Sequence, residues 1–89
     1  MKRYRIQFYG RVQGVGFRYR SRSHAQALGL TGWVRNLWDD TVEMEVQGPT
    51  AKIEVLIIQI GQEYPIRIDR YYKEEISVEP EEREFKVVG

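Results

Sequence analysis

The chain has 89 residues, of which 42% are hydrophobic and 30% charged, with no cysteine. That excludes a second folded core, a disulfide framework and any cysteine-based metal or thiolate chemistry. The net charge of +1 conceals a division, because residues 1–36 hold eight Lys or Arg and no acid, whereas the rest holds six basic and thirteen acidic residues. Such an asymmetry fits an anion held by the N-terminal half, or charges that mix in space once the chain folds.

Arg3 to Tyr9 alternates, with Tyr4, Ile6 and Phe8 on one face and Arg5, Gln7 and Tyr9 on the other, the pattern of a half-buried strand. Gly10 to Gly16, GRVQGVG, is too rich in glycine for the interior of a regular element and reads as a backbone-dominated loop. Phe17, Ser21, Ala25 and Leu28 then share one helical face, and Gly29 followed by Leu30 marks a helix stop. Leu30 to Leu37 and Thr41 to Gln47 read as strands joined into a hairpin through Trp38, Asp39 and Asp40, with Val42, Met44 and Val46 inward. Pro49 suits the first turn of a helix. Lys52 to Gln62 contains many β-branched residues, yet Ile53, Leu56, Ile57 and Ile60 fall at i, i+3, i+4 and i+7, so a helix ending near Gly61 is expected. Ile66 to Tyr72 alternates as a strand, Glu84 to Val88 forms a short last one with Phe85 and Val87 inward, and the acidic ISVEPEER between them is expected to be a mobile surface loop.

This order predicts an α+β fold, the ferredoxin-like βαββαβ sandwich: one antiparallel sheet with both helices on a single face, and an additional or divided strand at the end. A single domain over residues 1–89 is expected. The longest apolar run, Val55 to Ile58, is far short of a membrane span, and MKRYR leads into no signal-like stretch. A cytoplasmic monomer without membrane attachment follows as the expectation.

The stretch with most chemical content is Gly10 to Arg18, a glycine-rich loop that leaves a strand and enters a helix with an arginine in its first turn. Successive N–H groups free of side-chain obstruction can converge on an anion, and the helix start adds partial positive charge. Arg18 adds a full charge and a planar fork that matches two phosphate oxygens. The bland alternative is a tight turn. Dinucleotide binding fails on spacing, since a fingerprint starting at Gly14 would need glycine at Tyr19, and the Lys-Ser/Thr ending of a P-loop is absent. In Gly32 to Asn36, GWVRN, the asparagine can hold a water through both its donor and its acceptor, or serve as a turn residue at a strand end. Trp33 reads as packing. His24 has no partner at metal-ligand spacing, and the carboxylates at 79, 81, 82 and 84 read as a solvated loop, so neither a metal nor a cofactor is expected.

Taken together, GRVQGVGFR and GWVRN resemble the acylphosphatase family in both motifs, in their separation and in the total length. The resemblance extends to GLTGWVRN, VEMEVQGP and the FKV near the end of the chain, while residues 62–83 are generic. It implies a metal-free hydrolase that cleaves the mixed anhydride of an acyl phosphate into carboxylate and inorganic phosphate, on a ferredoxin-like fold. It further implies that Arg18 and the backbone amides of Gln13, Gly14, Val15, Gly16, Phe17 and Arg18 bind phosphate, and that Asn36 orients the attacking water. The partner is then a small acyl phosphate or free phosphate, not a nucleic acid. Where the family commonly has Asp-Gly this chain has Asp39 and Asp40, and Trp38 stands where proline or a small polar residue is frequent.

A labile substrate suits so plain an inventory. The leaving carboxylate of an acyl phosphate has a pKa of about 4 to 5 and departs without a general acid, so positioning and charge stabilisation suffice. Two other classes fit the same residues: an anion-binding regulatory domain without turnover, and a ferredoxin-like RNA binder. Against the latter, GVGFRY precedes the first helix and VEMEV exposes no aromatic residue.

Overall fold

A computed structural model describes residues 1–89 as β1 (Lys2–Arg11), α1 (Phe17–Ala27), β2 (Thr31–Asn36), β3 (Val42–Gly48), α2 (Thr50–Gly61), β4 (Arg67–Ile76) and β5 (Phe85–Val87). The strands form one sheet in the order β4-β1-β3-β2-β5. β1 pairs antiparallel with both β3 and β4, β2 antiparallel with β3, and β5 parallel with β2. The first four strands reproduce the expected ferredoxin-like arrangement; the fifth corrects it, making the sheet mixed rather than purely antiparallel.

The alternation read in β1 and β3 becomes the inner face of the sheet. Tyr4, Ile6, Phe8, Val42, Met44 and Val46 join Val34 and Phe85 in one buried cluster. From α2 the cluster takes Ile53, Leu56, Ile57 and Ile60, the stripe that decided for helix over strand. Each such aliphatic side chain contributes about 1.5–3 kcal/mol by leaving water, which outweighs the mild helix penalty that β-branching gives the three isoleucines. Pro49 caps α2 from just outside rather than sitting in its first turn; its carbonyl accepts from Lys52 and Ile53 N–H. From α1 come Phe17, Ala25 and the buried Ser21, whose hydroxyl donates to the Phe17 carbonyl at 2.7 Å. The helix ends as its sequence suggests: Gly29 has φ 72°, and Leu30 N–H donates back to the Ala25 carbonyl. His24 on α1 pairs with Glu63 just beyond α2 and so links the two helices. No helix is long and apolar enough to cross a membrane.

The segment between β4 and β5 departs furthest from expectation. β4 continues past Tyr72 to Ile76 at one edge of the sheet, whereas β5 lies at the other. Because β4 runs against β1, and β2 and β5 run with it, the chain must cross the sheet and reverse direction within residues 77–84. It crosses the helix-free face, where it is pinned and not loose. Arg3, 1% exposed, donates to Glu82 at 2.7 and 3.2 Å and to Glu45 at 3.0 Å. Beside it Gln47 donates to the Glu79 carbonyl at 3.1 Å and accepts from Glu79 N–H at 2.7 Å. Burial alone would lower the pKa of Arg3, but the hydrogen bonds to Glu82 and Glu45 raise it further above the ordinary arginine range.

The charge division of the sequence mostly closes up on folding. Lys2, Arg3, Arg5, Arg20 and Arg35 all pair with carboxylates of the acidic part of the chain. Arg11, Arg18 and Arg22 form no such pair, and Arg18 lies at the start of α1.

Candidate active site

The loop between β1 and α1 is built so that its amides face no acceptor. Gly14 and Gly16 have φ of 71° and 78°, a left-handed conformation that costs an L-residue about 1 kcal/mol. A Cβ at Gly14 would meet nothing within 4 Å, so it is conformation and not space that calls for glycine there. Gly16 is the N-cap of α1; it supplies no side-chain cap, and the first turn carries no acid. The result is that every backbone N–H from Gln13 through Tyr19 donates to no atom of the protein. Free amides at a helix start, where the peptide dipoles place partial positive charge, can receive an anion.

The remaining side chains hold this loop in place. Phe17 is buried with its ring 5.0 Å from that of Phe8, and Val15 packs against the core. Gln13, expected to serve through its amide, also uses its side chain: Nε2 donates to the carbonyls of Leu37 and Thr41, both at 2.8 Å. That clips the loop to the β2–β3 hairpin. Nothing in the motif distinguishes this clip from a solvent-facing glutamine.

Arg18 and Asn36 meet at one atom. The Arg18 guanidinium donates from Nη1 to the Gly89 main-chain oxygen at 2.5 Å, and the Asn36 backbone N–H donates to the same oxygen at 3.1 Å. Arginine has five donors, so one bond to Gly89 fixes the fork while the others stay available. Asn36 ends β2 on the same face as the buried Val34. Its Oδ1 is buried and has no hydrogen-bond partner in the protein, an unmet acceptor of the kind that native structures rarely leave without a purpose. The role of Gly89 as shared acceptor has no sequence signal at all.

The Asp39-Asp40 departure has a definite outcome. Asp40 has φ 69°, the only non-glycine residue of the chain with positive φ. Asp39 Oδ1 accepts from Thr41 Oγ1 at 2.5 Å and from Thr41 N–H at 3.2 Å, and Leu37 N–H donates to the Thr41 carbonyl. The Thr41 hydroxyl holds the Asp39 carboxyl below the usual aspartate range. The turn is thus closed by side-chain bonds, and Asp40 takes the conformation that a glycine would take at no steric cost. Trp38 stands at its tip, 95% exposed. Trp33 is half-buried, with the Arg35 guanidinium 5.3 Å from its ring centre. Nowhere do three or more His, Asp or Glu side chains converge to hold a metal ion.

The comparisons with known proteins point one way. The family model described as Acylphosphatase matches residues 4–87. The chain is 47% identical to an acylphosphatase of Thermococcus kodakarensis, with 100% of both chains covered. It is 40% identical to one of Geobacillus thermodenitrificans over 99% of this chain and 95% of that one. The crystal structure of acylphosphatase from Bacillus subtilis superposes with a TM-score of 0.89 at 32% identity, covering all of both chains. By sequence, by fold and by extent, the chain belongs to the acylphosphatase family.

Proposed function

We propose that the chain hydrolyses acyl phosphates, with the amides of Gln13, Gly14, Val15, Gly16, Phe17 and Arg18 and the Arg18 guanidinium binding the phosphoryl group, and Asn36 orienting the attacking water. Family membership supports the reaction class. The observation that carries the assignment of roles is the shared Gly89 main-chain oxygen, which holds Arg18 and Asn36 to one point beside the free amides of the loop. The unmet Asn36 Oδ1 accepts a hydrogen bond from the water and so turns the water's lone pair toward phosphorus. A new P–O bond then forms as the bond to the acyl oxygen breaks and the carboxylate leaves with the electron pair. The protons of the water pass to inorganic phosphate and solvent. Charge on the equatorial oxygens is met by donors already in place, the arrangement in which electrostatic stabilisation is most effective.

Hydrolysis of acetyl or benzoyl phosphate beside a simple phosphate ester, each with and without a chelator, tests the reading. The expected result is turnover of the anhydrides alone, at a rate that the chelator leaves unchanged. Phosphate binding without turnover of either anhydride would move the chain to the regulatory anion-binding class, and chelator-sensitive turnover would refute the metal-free reaction.

A further inference from the structure

Arg3 is the one fully buried cation of the molecule, and the proposed reaction makes no use of it. It lies near the start of β1, whereas Asn36 pairs with Val42 level with Phe8; at the rise of a strand that is roughly 17 Å away. Its contacts hold the crossing segment, and from there an unbroken series of bonds leads to the site. Glu82 is held by Arg3 at 2.7 and 3.2 Å. Two residues on, the Glu84 carbonyl accepts from Gly32 N–H at 3.1 Å. Phe85 to Val87 then pair with Gly32 to Val34, Val88 N–H donates to the Val34 carbonyl at 3.0 Å, and Gly89 receives Asn36 N–H and Arg18.

β5 pairs through only three residues, on one side, in the parallel arrangement, and so short an edge strand has little hold of its own. Its place along β2 is fixed by Phe85 in the core and, before it, by the grip on Glu79 and Glu82. We propose that Arg3 and Glu82 are positioning residues for the phosphate site, setting through β5 where the Gly89 main-chain oxygen holds Arg18 and Asn36. The inference rests on the reading of Arg18 and Asn36 given above.

The test compares Glu82→Ala with Lys73→Met. The second variant breaks the Lys73–Glu54 ion pair, 2.5 Å long, which joins β4 to α2 and leads nowhere near Gly89. Both are measured well below their melting temperatures for the inhibition of acetyl phosphate hydrolysis by inorganic phosphate and for hydrogen exchange at the Asn36 amide. Glu82→Ala is expected to raise the phosphate inhibition constant about tenfold, because misplacement of a binding group by a fraction of an ångström is costly, and to speed Asn36 exchange. Lys73→Met is expected to lower the melting temperature and leave both readings unchanged. Wild-type inhibition and exchange in Glu82→Ala would overturn the inference and leave the acyl phosphate reading intact; so would an equal loss in Lys73→Met. A wild-type chain that neither cleaves acetyl phosphate nor binds phosphate would overturn that reading and this inference with it.

Discussion

Two loops of this molecule treat their polar groups in opposite ways. The segment 77–84, which crosses the open face, meets the buried polar groups beneath it: Glu82 accepts from Arg3, and the Glu79 main chain pairs with Gln47 through both N–H and carbonyl. The loop from Gln13 into α1 leaves a run of amides without acceptors, and the neighbouring Asn36 Oδ1 without a donor. For the buried Asn36 Oδ1 an unmet bond costs about 1–3 kcal/mol, whereas the amides of the exposed Gly14, Gly16 and Tyr19 can meet water. The contrast separates a part of the chain that ties the sheet together from a part that keeps donors and an acceptor free.

The largest effect should come from the charge in the unmet region. Arg18→Ala removes the guanidinium and is expected to lower turnover of a small acyl phosphate by about 10²–10³ while the far-ultraviolet circular dichroism stays that of the wild type. Steady-state kinetics with benzoyl phosphate checks this, and a loss below tenfold would place the charge stabilisation in the amides alone. Next, Gln13→Ala leaves the Leu37 and Thr41 carbonyls without their shared donor, with an expected loss of about 1–3 kcal/mol in urea unfolding. Because the clip joins the loop to the hairpin that follows Asn36, turnover should fall too.

A change in the other direction sharpens the comparison. Asp40→Gly relieves a positive φ without touching the Asp39–Thr41 bonds, and should stabilise the chain by up to about 1 kcal/mol. For a domain of this size that is a rise of about 4–8 °C in melting temperature. An unchanged or lower value would mean that the flexibility glycine gives the unfolded chain cancels the relief. The smallest effect concerns pH. The Asp39 carboxyl, held low by Thr41, is bound more tightly as an anion in the folded chain than in the unfolded one. Its contribution is therefore whole above about pH 4, the ordinary aspartate value, and is lost as pH falls through the lowered one. Unfolding curves of wild type and Asp39→Ala should differ above that window and converge below it.

What the sequence makes legible follows the same contrast. Local periodicity reports burial, so Ile53, Leu56, Ile57 and Ile60 and the inward residues of β1 and β3 are readable from spacing alone. Glycine at a required φ leaves a mark as well, which is why GRVQGVG announces a loop before any coordinate is known. Long-range pairing leaves none. Arg3 and Glu82 are 79 positions apart, and a buried arginine in an alternating strand looks like any outward-facing one. The carboxylates of the crossing segment read as solvated for that reason, and the parallel pairing of β5 is hidden with them. In the site, the family motifs name Arg18 and Asn36, but not the Gly89 main-chain oxygen that both of them donate to or the side-chain clip of Gln13.

The central claim is a division of labour, with the loop and Arg18 gripping phosphate while Asn36 directs water. Titration calorimetry of inorganic phosphate against Asn36→Ala, beside turnover of benzoyl phosphate by the same preparation, measures it most directly. The account predicts wild-type phosphate affinity with hydrolysis abolished. Hydrolysis at a near-wild-type rate, or phosphate affinity lost together with turnover, would contradict it.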